Sequence, residues 1–275
     1  MNRPPAFIHA GAPKAGSTWL HAALSEHPGI YLPPGKELQF FDKHYKLGED
    51  WYEKQFSGAP DGAVTGDLSP EYLFHPEAAA RIAAYDPSTK ILITLREPVK
   101  RLLSWRQQRI SLGEDVDTAD EWLTDAATLE AHLYAPALKR IFDHFPRQQI
   151  QVSFHAELRQ NPQGFLDKIC DFISAAHFTP EVIDKEVWGA RAARNPALTR
   201  ILYAGGQALR QAGLAELVGR VSTHPAFTRL IYRKAESDPG SVEARRFAHE
   251  FFSREYDTIE MLTGRPLPRS WRTEP

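Results

Sequence analysis

A single lysine lies inside a glycine-bounded turn near the N-terminus, within the residues GAPKAGSTW at positions 11–19. The two glycines have the spacing of a phosphate-binding loop, in which backbone amides at a helix N-terminus hold an anion. The ATP-binding form of that loop has lysine directly after its second glycine, whereas here Ser17 and Thr18 follow Gly16 and the lysine is Lys14. We expect this turn to bind a phosphate-like group. The alternative is a plain strand–helix turn in which Ser17 caps the helix.

A second cation follows the clearest strand pattern in the chain, residues 90–95 (KILITL), where Arg96 and Glu97 come next. Guanidinium groups bind phosphate through paired hydrogen bonds, and Ser104 in the following helix can add a hydroxyl. We therefore expect Arg96 and Ser104 to hold a second phosphate. The metal-holding aspartate of a nucleotide-hydrolysing site does not follow this strand, so we expect no dedicated metal site. The alternative is that Arg96 pairs with a surface carboxylate and that Ser104 only packs.

Short apolar segments alternate with helical patterns along the chain. This alternation predicts an α/β fold, a P-loop-like and mainly parallel sheet flanked by helices, in a single domain over residues 1–275. Strand patterns cover 6–10, 90–95 and 150–154, with a weaker one at Val64, and helix patterns cover 17–26, 76–85, 134–145, 165–173, 196–212 and 242–262, with another beginning at Pro98. Ligands of such sheets bind beyond the carboxyl ends of the strands, so both turns are expected at the binding edge.

The composition is that of a globular protein: of 275 residues, 42% are hydrophobic and 25% are charged, and the formal net charge is −2. These values argue against disordered, collagen-like or coiled-coil structure and against nucleic-acid binding through overall charge. Cys170 is the only cysteine, so neither an internal disulfide nor a cysteine-based zinc site can form. We expect no membrane span, no signal peptide and a reducing, cytoplasmic setting. The oligomeric state is open.

At these positions the chain resembles the sulfotransferases that use 3′-phosphoadenosine 5′-phosphosulfate (PAPS). Residues 13–18 match the P-K-x-G-[ST]-T loop of that family, and the arginine and serine of the second turn match its second phosphate-binding element. Residues 35–42 (GKELQFFD) resemble the K-E-x-x-F-F-D segment of the branch that includes heparan-sulfate sulfotransferases and bacterial relatives. Residues 66–72 (GDLSPEY) resemble the E-K-[ST]-P-x-Y stretch of that branch, but Leu68 stands where the branch often has lysine.

The resemblance implies in-line transfer of a sulfuryl group from PAPS, with 3′-phosphoadenosine 5′-phosphate (PAP) as the product and no metal. It implies that Lys14 stabilises the leaving phosphate and that Glu37 is the general base that takes the proton of the acceptor. The implied donor-binding residues are Lys14, Ala15, Gly16, Ser17, Thr18, Trp19, Arg96, Ser104, Arg191 and Arg194. The residues expected to contact the acceptor are Phe40, Phe41, His44 and Ser69.

Several alternatives stay open on the sequence alone. Glu37 can instead pair with Lys36 or cap a turn, and Phe40 and Phe41 can belong to the hydrophobic core rather than line the acceptor pocket. The basic residues 189–196 can be a solvated turn rather than the loop that closes over the 3′-phosphate. A P-loop kinase of a small molecule and a nucleotide-binding module without catalysis are the alternative functions. The acceptor is expected to be a hydroxyl, or with less support an amine, of a small metabolite or a carbohydrate.

Overall fold

The structure, a computed structural model, describes residues 4–184, 191–211, 230–234 and 238–273. Five parallel strands form one sheet, and a separate antiparallel pair lies in the C-terminal third. The strands are β1 (Phe7–Gly11), β2 (Ile30–Tyr31), β3 (Val64–Leu68), β4 (Lys90–Leu95), β5 (Ile150–Phe154), β6 (Arg191–Ala193) and β7 (Tyr232–Lys234). The predicted α/β fold with a parallel sheet is therefore confirmed.

Helices connect the strands and cover both faces of the sheet. They are α1 (Ser17–Ser25), α2 (Glu49–Lys54), α3 (Ala78–Tyr85), α4 (Pro98–Ser111), α5 (Ala119–Thr124), α6 (Ala126–Glu130), α7 (Tyr134–His144), α8 (His155–Gln160), α9 (Pro162–Ile173), α10 (Pro196–Gln211), α11 (Val242–Ser253), α12 (Tyr256–Thr263) and α13 (Arg269–Arg272). Within the described ranges, none of these helices is both long enough and apolar enough to cross a membrane.

The sheet is buried on both faces, which explains why β4 carries apolar side chains that point to both of them. Along β4, Ile91 and Ile93 point into one hydrophobic cluster and Leu92 points into the other. In β1, Phe7 and Ile8 divide between the two clusters in the same way. Successive side chains of a strand point to opposite faces, so a strand between two helical layers needs apolar residues at every position.

The strand order is β2-β3-β1-β4-β5. After β1 the chain runs to β2 and β3 on one side of the sheet, and after β4 it runs to β5 on the other side. The turns that follow β1 and β4 therefore leave the sheet in opposite directions from neighbouring strands. This arrangement opens a crevice between them, where ligands of open α/β sheets bind.

The helix predicted over residues 242–262 is wrong in one respect, because the structure divides it into α11 and α12. Glu255 lies at the division, and its carboxylate accepts hydrogen bonds from the amides of Tyr134 at 3.0 Å and Ala135 at 2.7 Å. These amides belong to the first turn of α7, where an acidic side chain is favourable. A contact made 120 residues away in sequence thus ends α11, and no periodicity within residues 242–262 indicates it.

Candidate active site

The turn after β1 has the form of an anion-binding loop. Gly16 is the N-cap of α1 and adopts φ 103°, in the left-handed region that favours glycine. A Cβ atom at this position would lie 2.7 Å from Leu158 Cδ2, so the site has no room for a side chain. Because glycine cannot cap a helix with a side chain, the first amides of α1 are left for an anion. Ser17 is the first helical residue rather than the cap, contrary to the plain-turn alternative.

The helix that follows β4 begins differently. Glu97 is the N-cap of α4, and its carboxylate accepts hydrogen bonds from the amides of Val99 at 2.9 Å and Lys100 at 2.8 Å. These contacts satisfy the N-terminus of α4 internally, as a capping side chain should. The two helix N-termini at the crevice are therefore unequal, and only α1 offers its amides to a ligand.

The side chain of Arg96 joins the two turns. Its Nη1 donates a hydrogen bond to the carbonyl oxygen of Lys14 at 2.9 Å. The backbone of Arg96 is held on its other side by Tyr134, whose hydroxyl donates to the Arg96 carbonyl at 2.8 Å. Lys14 and Arg96 are thus on the same side of the molecule and close together. The juxtaposition that the sequence predicted for these two cations is confirmed.

Electrostatics at the crevice favour an anion. Burial, together with the positive charges of Lys36 and Arg96, lowers the pKa of Lys14 to about 8, although Glu37 and Glu71 act in the opposite direction. Like charges held together in a half-buried site are costly unless an anion compensates them. A group carrying phosphate charge fits this arrangement.

Lys36 lies in the site, although the sequence suggested it only as a possible ion-pair partner of Glu37. Its Nζ donates a hydrogen bond to Thr18 Oγ1 at 2.6 Å and lies 3.2 Å from Glu37 Oε1. Thr18 is on α1 and Glu37 is in the segment that leads to the aromatic residues, so Lys36 joins the anion loop to the presumed base. Its position directly before Glu37 was the signal available in the sequence.

Glu37 lies beside the cation cluster with about a third of its side chain exposed. The ion pair with Lys36 that the sequence left as an alternative is present. The pair does not bury the carboxylate, and an exposed ion pair of this kind contributes little stability. Glu37 has φ 61°, a conformation that a non-glycine residue adopts only when its surroundings impose it.

A second carboxyl group, Glu71, faces the same cluster and was not identified from the sequence. Burial, together with the negative charges of Glu37 and Asp42, raises the pKa of Glu71 to about 7. Lys43 and Arg101 act in the opposite direction. A carboxyl group with this pKa can exchange a proton near neutral pH, so Glu71 competes with Glu37 for the role of base.

Three residues expected to contact the acceptor are instead part of the interior. Phe40 and Phe41 are fully buried, with Phe40 stacked on Tyr52 at a centroid distance of 4.5 Å. Ser69 is also fully buried, and its hydroxyl donates to Asp67. The expectation is corrected for all three, because a side chain with no exposed surface cannot contact an acceptor directly.

His44 is half-buried, with its ring 5.7 Å from that of Trp51, and burial lowers its pKa. Its contact with an acceptor stays a prediction. Ala15 and Trp19 of the loop are buried, and the Trp19 ring packs edge-on against Phe165. Any contribution of these two residues to donor binding is therefore through the backbone.

The other predicted donor-binding residues lie on α4 and on the small sheet that packs against it. Ser104 is half-buried in the second turn of α4, and β6 contacts this helix. Arg191 begins β6, and Arg194 directly follows it, with its Nε donating to the Tyr232 carbonyl at 3.1 Å. Of the predicted loop 189–196, residues 189 and 190 lie outside the described residues. Its role at a 3′-phosphate stays a prediction.

Across residues 4–184, 191–211, 230–234 and 238–273, no group of three or more His, Cys, Asp or Glu side chains is arranged to hold a metal ion.

Comparisons with known proteins agree with this geometry. The model of the family described as "Sulfotransferase domain" matches residues 4–189. The human heparan sulfate glucosamine 3-O-sulfotransferase 3B1 is 29% identical over 240 residues, which cover 84% of this chain and 59% of that protein. The chain thus spans about three fifths of the length of this relative.

Solved structures share the fold. A sulfotransferase from Alicyclobacillus acidocaldarius superposes with a TM-score of 0.71 at 24% identity, covering 98% of this chain and all of that one. The mouse sulfotransferase SULT7A1, solved in complex with PAP, superposes with a TM-score of 0.53 at 13% identity over 98% of this chain and 88% of its own. Since the family model covers more than half of the chain, the chain belongs to the PAPS-dependent sulfotransferase family.

Proposed function

We propose that this protein transfers a sulfuryl group from PAPS to a hydroxyl group. The observation that carries the proposal is the hydrogen bond from Arg96 to the Lys14 carbonyl at 2.9 Å, which holds two cations from separate strand ends together at the crevice. We call Lys14–Trp19 together with Arg96 the donor side of the site, and residues 36–42 the acceptor side.

The donor side suits a nucleotide that carries phosphate at both ends. The free amides of α1 and the Thr18 hydroxyl would bind the 5′-phosphate, and Arg96 with Ser104 would bind the 3′-phosphate. When bound, PAPS supplies the sulfuryl group and a phosphate leaving group. The ammonium of Lys14 would neutralise the charge that develops on that phosphate, which is the main catalytic requirement of such transfers.

The acceptor side would remove the acceptor's proton. Glu37 is the group we assign as general base, because its carboxylate is accessible and pairs with Lys36, which also donates to the Thr18 hydroxyl. Lys36 donates to Thr18 and pairs with Glu37, so it would keep the base next to the 5′ end of the donor. Glu71, with its pKa of about 7, is the competing candidate, and substitution of each carboxylate separates them.

The acceptor class is proposed from the relatives. The human relative is named for 3-O-sulfation of a glucosamine in heparan sulfate, which supports a carbohydrate hydroxyl among the acceptors. The net charge of −2 gives no indication of a long basic surface for a sulfated polysaccharide. A small hydroxylated metabolite or a single sugar unit is therefore our proposal, and a cytoplasmic location stays a prediction.

The proposal is tested first by binding and then by transfer. PAP should raise the Tm and bind measurably in the presence of a chelator, whereas ATP with Mg²⁺ should bind at least about tenfold more weakly. PAPS with a labelled sulfuryl group should then label one or more hydroxylated acceptors in a screened set of sugars and metabolites. Preference for ATP with Mg²⁺ would support the kinase alternative. Binding of PAP without transfer to any acceptor would support a nucleotide-binding module.

A further inference from the structure

A buried carboxylate lies beneath the acceptor side. Asp67, at the end of β3, is 1% exposed and accepts hydrogen bonds from three hydroxyl groups. Ser69 Oγ donates to Oδ1 at 2.7 Å, and the hydroxyls of Tyr52 and Tyr72 each donate to Oδ2 at 2.9 Å. Burial raises the pKa of Asp67 to about 6, and the three hydroxyls oppose this change because they stabilise the ionised form.

Two of these hydroxyls also hold the backbone of the acceptor side. The amide of Gln39 donates to Ser69 Oγ at 3.1 Å, and the amide of Phe40 donates to the Tyr72 hydroxyl at 2.8 Å. A hydroxyl has one hydrogen and two lone pairs, so each can donate to Asp67 and accept from an amide at once. The result is two parallel chains of hydrogen bonds, each running from carboxylate to hydroxyl to amide.

The backbone that these chains hold is in an unfavourable conformation. Glu37 has φ 61° and Gln39 has φ 51°, both in the left-handed region although neither residue is glycine. Such conformations persist where surrounding contacts impose them, and they concentrate at functional sites. The hydroxyls accept hydrogen bonds from the amide of Gln39, which is the second of these positive-φ residues, and from the amide of Phe40, which follows it.

We propose that Asp67, acting through Ser69 and Tyr72, is a positioning residue that fixes the Glu37 carboxylate at the acceptor side. This inference rests on the proposed function, in which Glu37 is the base. The Tyr52 hydroxyl offers an internal comparison: it donates to the same Asp67 oxygen, and among the described residues it is bonded to no amide of residues 36–42.

The two tyrosines provide a matched pair of variants. Tyr52 and Tyr72 are both fully buried, and Tyr52→Phe and Tyr72→Phe each remove one hydroxyl from Asp67 Oδ2. Tyr72→Phe should lower kcat at least about tenfold, the scale of a misplaced catalytic group, and leave the Kd for PAP within about twofold. Tyr52→Phe should lower the Tm comparably but keep kcat within about twofold of the wild type. Equal losses of kcat in the two variants would overturn the proposal.

Amide hydrogen exchange in the free protein gives a readout that does not depend on activity. The Phe40 amide should exchange faster in Tyr72→Phe, and the Gln39 amide faster in Ser69→Ala, because each loses its acceptor. Ser69→Thr keeps the hydroxyl and should restore slow exchange at Gln39. Exchange that is unchanged in Tyr72→Phe, or equally raised in Tyr52→Phe, contradicts the proposal.

A double variant separates this proposal from the assignment of the base. If Tyr72 acts through Glu37, adding Tyr72→Phe to Glu37→Gln should cost no further kcat, since the group it positions is already disabled. A full additional loss would show that Tyr72 acts elsewhere and would overturn the proposal. Wild-type activity of Glu37→Gln alone would refute the base assignment, while the exchange rates would still decide whether the network holds the segment.

Discussion

The donor side and the acceptor side of the crevice hold their reactive groups by different means. On the donor side, Gly16 and the start of α1 present backbone amides, and Arg96 bonds directly to the Lys14 carbonyl. On the acceptor side, Glu37 stands on a positive-φ turn tied to buried hydroxyls from another segment. The first side depends on local backbone geometry and fixed charge. The second depends on a buried network of hydrogen bonds that holds the backbone beneath the reactive group, so substitutions on the two sides should separate binding from the proton-transfer step.

The largest effect is expected on the donor side, at Lys14. Lys14→Ala should lower kcat/KM by about 10³-fold, the upper range for removing one group that stabilises developing charge. Steady-state kinetics with PAPS and an identified acceptor would measure it. Lys54→Ala, which removes an exposed lysine of α2, is the control and should retain wild-type activity. If Lys14→Ala retains substantial turnover, another cation stabilises the leaving phosphate, and Lys36 is the next to test.

Glu37→Gln is the corresponding test of the acceptor side. It should lower kcat by about 10²-fold, within the range for loss of a general base, while changing the Kd for PAP by less than about twofold. Kinetics give the first value and calorimetry the second. Glu71→Gln is the comparison variant, and its loss should be clearly smaller. If Glu71→Gln proves the more damaging substitution, the base is Glu71, and the pH profile should then follow a group with a pKa of about 7.

The contrast also explains which parts of the site could be predicted from the sequence. The loop around Lys14 and the strand that ends at Arg96 are local patterns, and the strand order confirms that they meet. The burial of Ser69 was missed, and that of Phe40 and Phe41 was an alternative that the sequence left open, because nothing in a short motif distinguishes an aromatic residue that lines a pocket from one beneath it. In this structure the motif-like residues 66–72 supply Asp67, Ser69 and Tyr72, which support the turn and do not face the acceptor.

The same distinction holds for the strands and helices: those with a local pattern were predicted, and those defined by distant contacts were not. β4 is an apolar run and β5 alternates apolar and polar residues, and the structure places both strands at the predicted residues. β2 is only two residues long and is defined by its pairing with β3, so no sequence pattern predicts it. The division at Glu255 depends on amides of α7, a contact that only the folded chain creates.

A smaller effect, on binding, is expected from Arg96→Ala. Loss of a charge-assisted contact should weaken PAP binding by about 1–3 kcal/mol, or about 5- to 150-fold in Kd. Arg96 also donates a hydrogen bond to the Lys14 carbonyl, so a loosened loop around Lys14 is a second route to weaker binding in this variant. Comparison with 5′-AMP, which lacks the 3′-phosphate, distinguishes the two effects: the preference for PAP over AMP should fall. An equal loss for both nucleotides would assign Arg96 to loop support and leave the 3′-phosphate to other residues.

The smallest effect is a pH dependence of PAP binding, which arises from Lys14 on the donor side. Burial and neighbouring cations lower the pKa of Lys14 to about 8 in the free protein, and a bound anion should raise it, since it stabilises the charged ammonium. Binding then takes up a proton near pH 8, so PAP affinity is full below that pH and falls above it. The decrease from pH 7 to 9 should be up to about tenfold, as linkage gives for a single group whose pKa is about 8 in the free protein. Calorimetry in two buffers of different ionisation enthalpy would detect the uptake, and Lys14→Met should abolish it. Glu37→Gln should leave most of the uptake in place, because the Glu37 carboxylate acts on the pKa of Lys14 less than burial, Lys36 and Arg96 do. Loss of the uptake in Glu37→Gln would mean that the two sides are electrostatically one unit.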